Sequence, residues 1–198
     1  MEVMWLHQLQ LAVKRLFDLV VSALLIAFFL VPLVTLTVLS VQMEYPGEHY
    51  LYYNLRAGKN GRAFKCWKLR TLPVGYDPLI EDPIELPPRL RLIRRFGIDE
   101  IPQVLSIFVG EMSFFGNRAL VLEEPPVRYG PYAPVILQMK PGLLSLFSLK
   151  VHQENVSSFS PVSHSFDPAA THEALDYVQK WSLKRDWVIF CSMLRPSD

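Results

Sequence analysis

Apolar and polar positions divide this chain unevenly. From Leu19 to Met43 no residue carries a charge, and most are Leu, Val, Ile, Phe or Ala. About 20 apolar residues cross a bilayer core, so Leu16 to Val41 predicts a membrane helix. The run is longer than the roughly 7–15 apolar residues of a signal peptide, and no small-x-small cleavage site follows it. Pro32, near its middle, removes a backbone donor and crowds the preceding turn, which predicts a kink or break. Lys14 and Arg15 precede the run, and a basic stretch from Arg56 to Arg70 follows it. Positive charge on both flanks suits the positive-inside tendency when both ends lie on the cytoplasmic side. The residues leave two arrangements open: a kinked single span, or a re-entrant hairpin whose freed backbone groups meet the hydroxyls of Ser22, Thr35 or Thr37.

After residue 44 the period changes. Tyr45-Pro46-Gly47 is a turn signal, and Tyr50 to Leu55 reads as a short strand. Gly58 and Gly61 bracket a tight turn, and Ala63 to Leu69 is expected to pair back as a hairpin. Residues 73–88 are rich in Pro and acids and read as a loop. Leu86, Leu90 and Ile93 then recur at helical spacing among Arg89, Arg91, Arg94 and Arg95. Such a helix either covers a core or lies at a phospholipid surface with its arginines at headgroup level. A further helix is expected from Ile98 through Phe108, with Pro102 in its first turn and Gly110 ending it. Residues 157–170 read as loop, and His172 to Leu194 as helix. Its apolar end, from Trp187, suits either docking on the anchor or dipping into the interface.

The fold class expected is therefore α+β: a mainly helical small domain with a short β-hairpin, anchored by an N-terminal proline-broken helix. Residues 1–44 form the membrane-associated part and residues 45–198 the cytoplasmic part. The formal net charge of +1 gives no general attraction to nucleic acid. Cys66 and Cys191 lie too far apart in sequence for a disulfide framework or a zinc spacing and read as small apolar thiols. The five histidines show no metal or triad spacing, and Gly58-Lys59-Asn60-Gly61 is not a Walker-type loop.

Asp99-Glu100 is the candidate for chemistry. An acidic pair at a helix start is ordinarily a cap. Here Arg94 and Arg95 precede it and Arg118 follows Gly116-Asn117. Carboxylates among arginines suit phosphate, which guanidinium forks match, and Mg²⁺, which takes one or two carboxylates plus substrate phosphates.

These segments resemble, in order and nearly over the whole length, the bacterial sugar transferases that act as monotopic polyprenyl-phosphate phosphoglycosyl transferases. The matching pieces begin with Lys14-Arg15-Leu16-Phe17-Asp18 and the apolar run with Pro32. They continue with Arg56-Ala57-Gly58-Lys59-Asn60-Gly61-Arg62-Ala63-Phe64, Lys68-Leu69-Arg70-Thr71, and Arg94 before Ile98-Asp99-Glu100-Ile101-Pro102-Gln103. Gly110 to Arg118, Lys140-Pro141-Gly142 and Asp176 to Asp186 complete the set. The resemblance implies transfer of a sugar phosphate from a nucleotide diphosphate sugar, usually a UDP-sugar, to polyprenyl phosphate, the first membrane step of surface glycan assembly. It implies Asp99 as nucleophile through a phosphosugar-aspartyl intermediate, with Glu100 assisting and the pair holding Mg²⁺. Arg94, Arg118 and Arg70 are the implied phosphate-binding residues. It also implies a re-entrant helix broken at Pro32, placing the chain in the bacterial inner membrane with its catalytic domain on the cytoplasmic face. The helix start and nearby arginines are expected to lower the pKa of the nucleophile.

Two departures stand out. Asn117-Arg118-Ala119 replaces the family's Pro-Arg-Pro, so Arg118 lacks rigid flanks and is expected to be less well oriented. Leu143-Leu144-Ser145 follows Lys140-Pro141-Gly142 where a Thr-Gly-Trp type sequence is usual. A catalytically impaired relative serving as a membrane-bound scaffold is the alternative reading. A homodimer is left open, because the amphipathic helix and apolar tail would serve one as readily as a membrane.

Overall fold

The computed structural model describes residues 2–75, 85–146 and 165–193. The acidic loop residues Asp77, Glu81 and Asp82 lie outside the described residues. The chain begins with α1 (Glu2–Leu25), passes through one π-helical turn (Ile26–Leu30) and continues as α2 (Val31–Glu44). Helical backbone thus runs through Pro32 instead of ending there. The proline ring crowds the carbonyl four residues back, and the wider π turn relieves that crowding just upstream.

Both arms dock on the same body. In α1, the Arg15 guanidinium donates to the Ile107 and Phe108 carbonyls, and Asp18 Oδ1 accepts from Ser113 Oγ and the Phe114 N–H. In α2, Val41 is fully buried against Leu90 and Ile93, and Glu44 pairs with Arg89. Between the arms Phe28, Phe29 and Val31 stand exposed. Ser22 and Thr37 close onto carbonyls one turn back in their own helices, Asp18 and Leu33.

The hairpin forms as expected. β1 (Leu51–Ala57) and β2 (Ala63–Leu69) pair antiparallel, from Leu51 opposite Leu69 to Ala57 opposite Ala63. Asn60 at φ 57° and Gly61 at φ 74° supply the reversed curvature of the connection. α3 (Pro88–Arg95) turns Leu90 and Ile93 inward and leaves Leu92 exposed, as is Phe96 just beyond it. α4 (Gln103–Val109) ends at Gly110, which takes the left-handed conformation with φ 92°.

A second, parallel pair joins β3 (Ser113–Phe115) to β4 (Gly142–Leu144) across α5 (Glu124–Tyr129) and α6 (Ala133–Ile136). Its close approach depends on two glycines. A Cβ on Gly142 would lie 2.1 Å from the Gly116 nitrogen, and one on Gly116 would lie 2.6 Å from the Gly142 nitrogen. Gly142→Ala therefore forces backbone apart, and we expect a loss of at least about 2 kcal/mol, seen as a lower midpoint in thermal unfolding of the detergent-solubilised chain.

The tail is two helices rather than one: α7 (Pro168–Gln179), capped by Asp167 accepting from the Ala170 N–H, and α8 (Leu183–Met193). Trp181, between them, turns inward and joins Tyr177 and Ile189 in the main core. Leu11, Val21 and Leu25 of α1 pack against that core, so the tail does dock on the anchor, while Trp187 remains exposed. A polar knot crosses the same interface. Asp186 accepts from Lys14 Nζ (2.5 Å), Tyr177 Oη (2.7 Å) and Trp181 Nε1 (3.1 Å), and Lys14 also donates to the Phe115 carbonyl.

Candidate active site

Asp99 and Glu100 occupy a 3₁₀ turn, Ile98–Glu100, between α3 and α4. Gly97, left-handed at φ 65°, reverses the chain after α3, and the Glu100 N–H donates to its carbonyl. Because Pro102 has no N–H, the regular ladder starts only after it. The acids therefore sit one turn ahead of the helix instead of in its first turn.

The two carboxylates have opposite environments. Asp99 is buried. Burial, and then the neighbouring Glu100 charge, pushes its pKa up to about 6 despite Lys68 and Arg94. This corrects the expectation of a lowered value: removal from water outweighs the nearby cations. Glu100 goes the other way. Burial would raise it, but Lys68, Arg118 and Arg56 together hold it below the usual glutamate value. Lys68 Nζ bonds Glu100 Oε1 at 2.5 Å. Burial disfavours the Lys68 ammonium, yet Glu100 raises it above an ordinary lysine. Two adjacent carboxyls driven apart in pKa can serve two different roles.

The expected arginines are placed as follows. Arg94 acts on Asp99 electrostatically and donates through Nη1 to Thr71 Oγ1 at 3.1 Å. Arg118 acts on Glu100. Its flanks are held by hydrogen bonds in place of prolines. Asn117 Nδ2 donates to the Ala174 carbonyl, the Asn117 carbonyl accepts from the Gly142 N–H, and the Ala119 carbonyl accepts from Arg56 Nη1. The residues on both sides of Arg118 are thus tied by hydrogen bonds where prolines were expected. Arg70 is committed elsewhere: its Nε donates to the His49 carbonyl, and its guanidinium lies 5.0 Å from the centre of the Tyr52 ring. It follows the last residue of β2, where the strand no longer directs it.

Lys68 and Arg56 belong to the site without having been singled out from the sequence. Both were legible as part of the basic hairpin, and strand alternation is the signal that could have selected them. Beside Arg118 lies a cavity of about 230 Å³, lined among others by Asn117, Arg128, Tyr129, Ser145 and Glu173. Cys66 is buried and its thiol is pushed up by that burial, so it is no nucleophile at neutral pH. Among the described residues no three His, Cys, Asp or Glu side chains cluster as a metal site.

A small α+β body is docked on a long, largely apolar helix, and its acidic pair is set among four cations, an arrangement that suits a site facing anionic groups. The family model described as "Bacterial sugar transferase" matches residues 9–195, nearly the full length, and the chain belongs to that family. It is similar to the exopolysaccharide production protein ExoY of Sinorhizobium fredii, at 33% identity over 89% of this chain and 81% of the relative. It is also similar to the UDP-glucose:undecaprenyl-phosphate glucose-1-phosphate transferase of Caulobacter vibrioides, at 33% identity over 87% of this chain and 65% of the relative. The undecaprenyl-phosphate galactose phosphotransferase of Salmonella typhimurium is 28% identical over 89% of this chain and 38% of its own length.

Proposed function

We propose that this transferase moves a sugar phosphate from a UDP-linked sugar to a polyprenyl phosphate through a covalent intermediate on Asp99, as the first membrane step of surface glycan assembly. The observation that carries the reading is the divergence within the acidic pair. Lys68 is bonded to Glu100, which leaves the Asp99 carboxylate without an ion-pair partner among the described residues and poised near pH 6. The Caulobacter and Salmonella relatives are named for a lipid-phosphate acceptor, and the former for a UDP-linked donor, which supports the same substrates here.

In the first step an Asp99 oxygen attacks the sugar-bearing phosphorus. The bond from that phosphorus to the bridging oxygen breaks, nucleoside monophosphate leaves, and an aspartyl phosphosugar forms. In the second step a polyprenyl phosphate oxygen attacks the same phosphorus and returns Asp99 as a carboxylate. Two easier displacements replace one difficult transfer. Arg94 and Arg118 offset charge on the diphosphate, and groups oriented before reaction contribute most there. The cavity beside Arg118 lies below the roughly 300–1,000 Å³ of whole-ligand pockets and suits the nucleoside end of the donor alone. Asp99 and Glu100 supply hard oxygen donors of the number Mg²⁺ takes when substrate phosphates complete its shell. The like-charge repulsion within the pair fits that ion, whose bound form would neutralise phosphate charge during transfer.

The anchor is read as re-entrant in the bacterial inner membrane, with the catalytic body on the cytoplasmic face. Support comes from the π turn at the proline, the exposed apolar apex, and two arms docked on one body with charge at both ends. Exposed Leu92, Phe96 and Trp187 beside arginines suit the interface.

Because the nucleophile must be ionised, activity is expected to rise with pH along an acidic limb that lies below about 6 when Mg²⁺ is bound, since the ion favours the carboxylate. Lys68→Met removes a cation that favours ionised Asp99, so the limb moves to higher pH; a move of about one unit costs up to about tenfold on the limb itself and little on the plateau, and pH–rate profiles of both forms check this. The reaction itself is tested by giving the purified chain, in nanodiscs with Mg²⁺ and polyprenyl phosphate, a panel of nucleotide sugars. Release of nucleoside monophosphate with one or more of them is expected. A folded sample silent across the panel would favour the scaffold reading.

A further inference from the structure

At the foot of α1 two cations converge on one point. A Cβ placed on Gly110 would lie 3.1 Å from Arg15 Nη2 and 3.1 Å from Lys140 Nζ, so these nitrogens are no more than twice that distance apart. Gly110 carries no side chain there, so none comes between the two donors, and a Cβ would press on both. Arg15 has a structural task, since two of its five N–H groups serve the last carbonyls of α4. Lys140 has none: among the described residues its ammonium makes no hydrogen bond and no ion pair. Its charged neighbours are Arg15 and Lys59, which repel it, and Asp18, which attracts it. Asp18 is already bonded to Ser113 and the Phe114 N–H. The carboxylate next in sequence, Glu111, is exposed and pairs with neither cation among the described residues.

Three cations against one engaged acid form a local excess that wants an anion. A phosphate suits the spacing, because two of its oxygens accept separate charge-assisted bonds of about 2.7–2.9 Å. The depth is also informative. Asp18 is the last charged residue before the uncharged run from Leu19 to Met43. Arg15, less than one turn before it, therefore stands at headgroup level if the anchor lies as proposed above. Gly110 follows Asp99 by eleven residues of mostly helical chain, roughly 16 Å at 1.5 Å per residue. That separation sets the cradle apart from the Asp99 carboxylate.

We infer that Arg15 and Lys140 form a cradle over Gly110 for the headgroup phosphate of an anionic phospholipid in the leaflet that holds the anchor. A zwitterionic head would bring its own cation toward Lys59, so the site favours net negative lipids. The inference rests on the membrane placement of the anchor and not on the catalytic reading, and its test reads lipid binding.

The full chain in detergent is titrated with short-chain phosphatidylglycerol, short-chain phosphatidylcholine and inorganic phosphate, and bound molecules are counted by native mass spectrometry. Phosphatidylglycerol is expected to bind at least tenfold tighter than phosphatidylcholine, and inorganic phosphate not to displace it at matched concentration. Lys140→Gln should weaken phosphatidylglycerol binding about fivefold, the effect of one basic residue at an anionic surface. Lys140→Arg should retain binding, and Lys59→Gln should weaken it less. Thermal midpoint and nucleotide release should stay unchanged in all three. Equal affinity of Lys140→Gln and parent for phosphatidylglycerol overturns the site. So does equal competition by inorganic phosphate, which marks a soluble-anion site. A raised KM for polyprenyl phosphate with unchanged phosphatidylglycerol binding would give the cradle to the acceptor instead.

Discussion

Asp99→Asn is expected to reduce turnover by at least 10³-fold while making the folded chain more stable at pH 7. The activity loss follows from the proposed chemistry: an amide cannot form the covalent intermediate, and removal of a nucleophile collapses the steps that depend on it. The stability gain follows from the pKa of the carboxyl it replaces. Burial holds the Asp99 pKa at about 6 in the fold, against an ordinary aspartate value of 3.8. A raised folded pKa means that the native state holds its proton more tightly than the unfolded chain does. That contribution is neutral below about pH 4, turns unfavourable as pH rises toward 6, and is fully unfavourable above it. The burden at pH 7 is roughly 3 kcal/mol, to be lessened when Mg²⁺ or substrate is bound. Asn removes the charge at nearly constant volume, so its thermal midpoint should exceed that of the parent at pH 7, and the two should converge near pH 4. A stable but inert Asp99→Asn is the pattern of a site that sacrifices stability for reactivity. A less stable variant would show Asp99 to be a structural acid.

The second large effect lies at the joint between anchor and tail. Lys14→Met is expected to destabilise the chain by about 3–5 kcal/mol, because it leaves the buried Asp186 carboxylate facing only neutral donors. Asp186→Leu should cost about as much, stranding the Lys14 ammonium, the Tyr177 hydroxyl and the Trp181 N–H together. Their double variant should cost clearly less than the sum of the singles, since the residues share one network. Denaturant unfolding in detergent, followed by near-UV signals from Trp181 and its neighbours, measures all three. Effects under about 1 kcal/mol would mean that water reaches the pair and that the anchor is held by apolar packing alone.

Much of the architecture was readable from local pattern. The hairpin follows from two apolar runs about the Gly58–Gly61 turn, and α3 from the spacing of Leu90 and Ile93. The parallel pair β3–β4 was not legible, because three-residue strands carry no alternation and the contact depends on Gly116 meeting Gly142 across two intervening helices. The tail read as one helix because nothing local marks Trp181 as the residue that turns inward. The position of the acidic pair was legible from its setting among arginines. Its electrostatics were not: the rise of Asp99 to about 6 comes from burial, a property of the assembled fold, which outweighs the cations visible in the sequence. Lys68 escaped notice for a related reason. Only the strand face, once formed, carries it to Glu100 and leaves Arg70 to His49 and Tyr52.

The central claim is a covalent bond to Asp99, and intact-protein and peptide mass spectrometry test it most directly. The purified chain is incubated with Mg²⁺ and its nucleotide sugar in the absence of polyprenyl phosphate, quenched in acid and digested. A mass increase of one sugar phosphate on the peptide containing Asp99, discharged when polyprenyl phosphate is added before the quench, is the predicted result. Turnover without any adduct, or an adduct on another residue, would contradict the account.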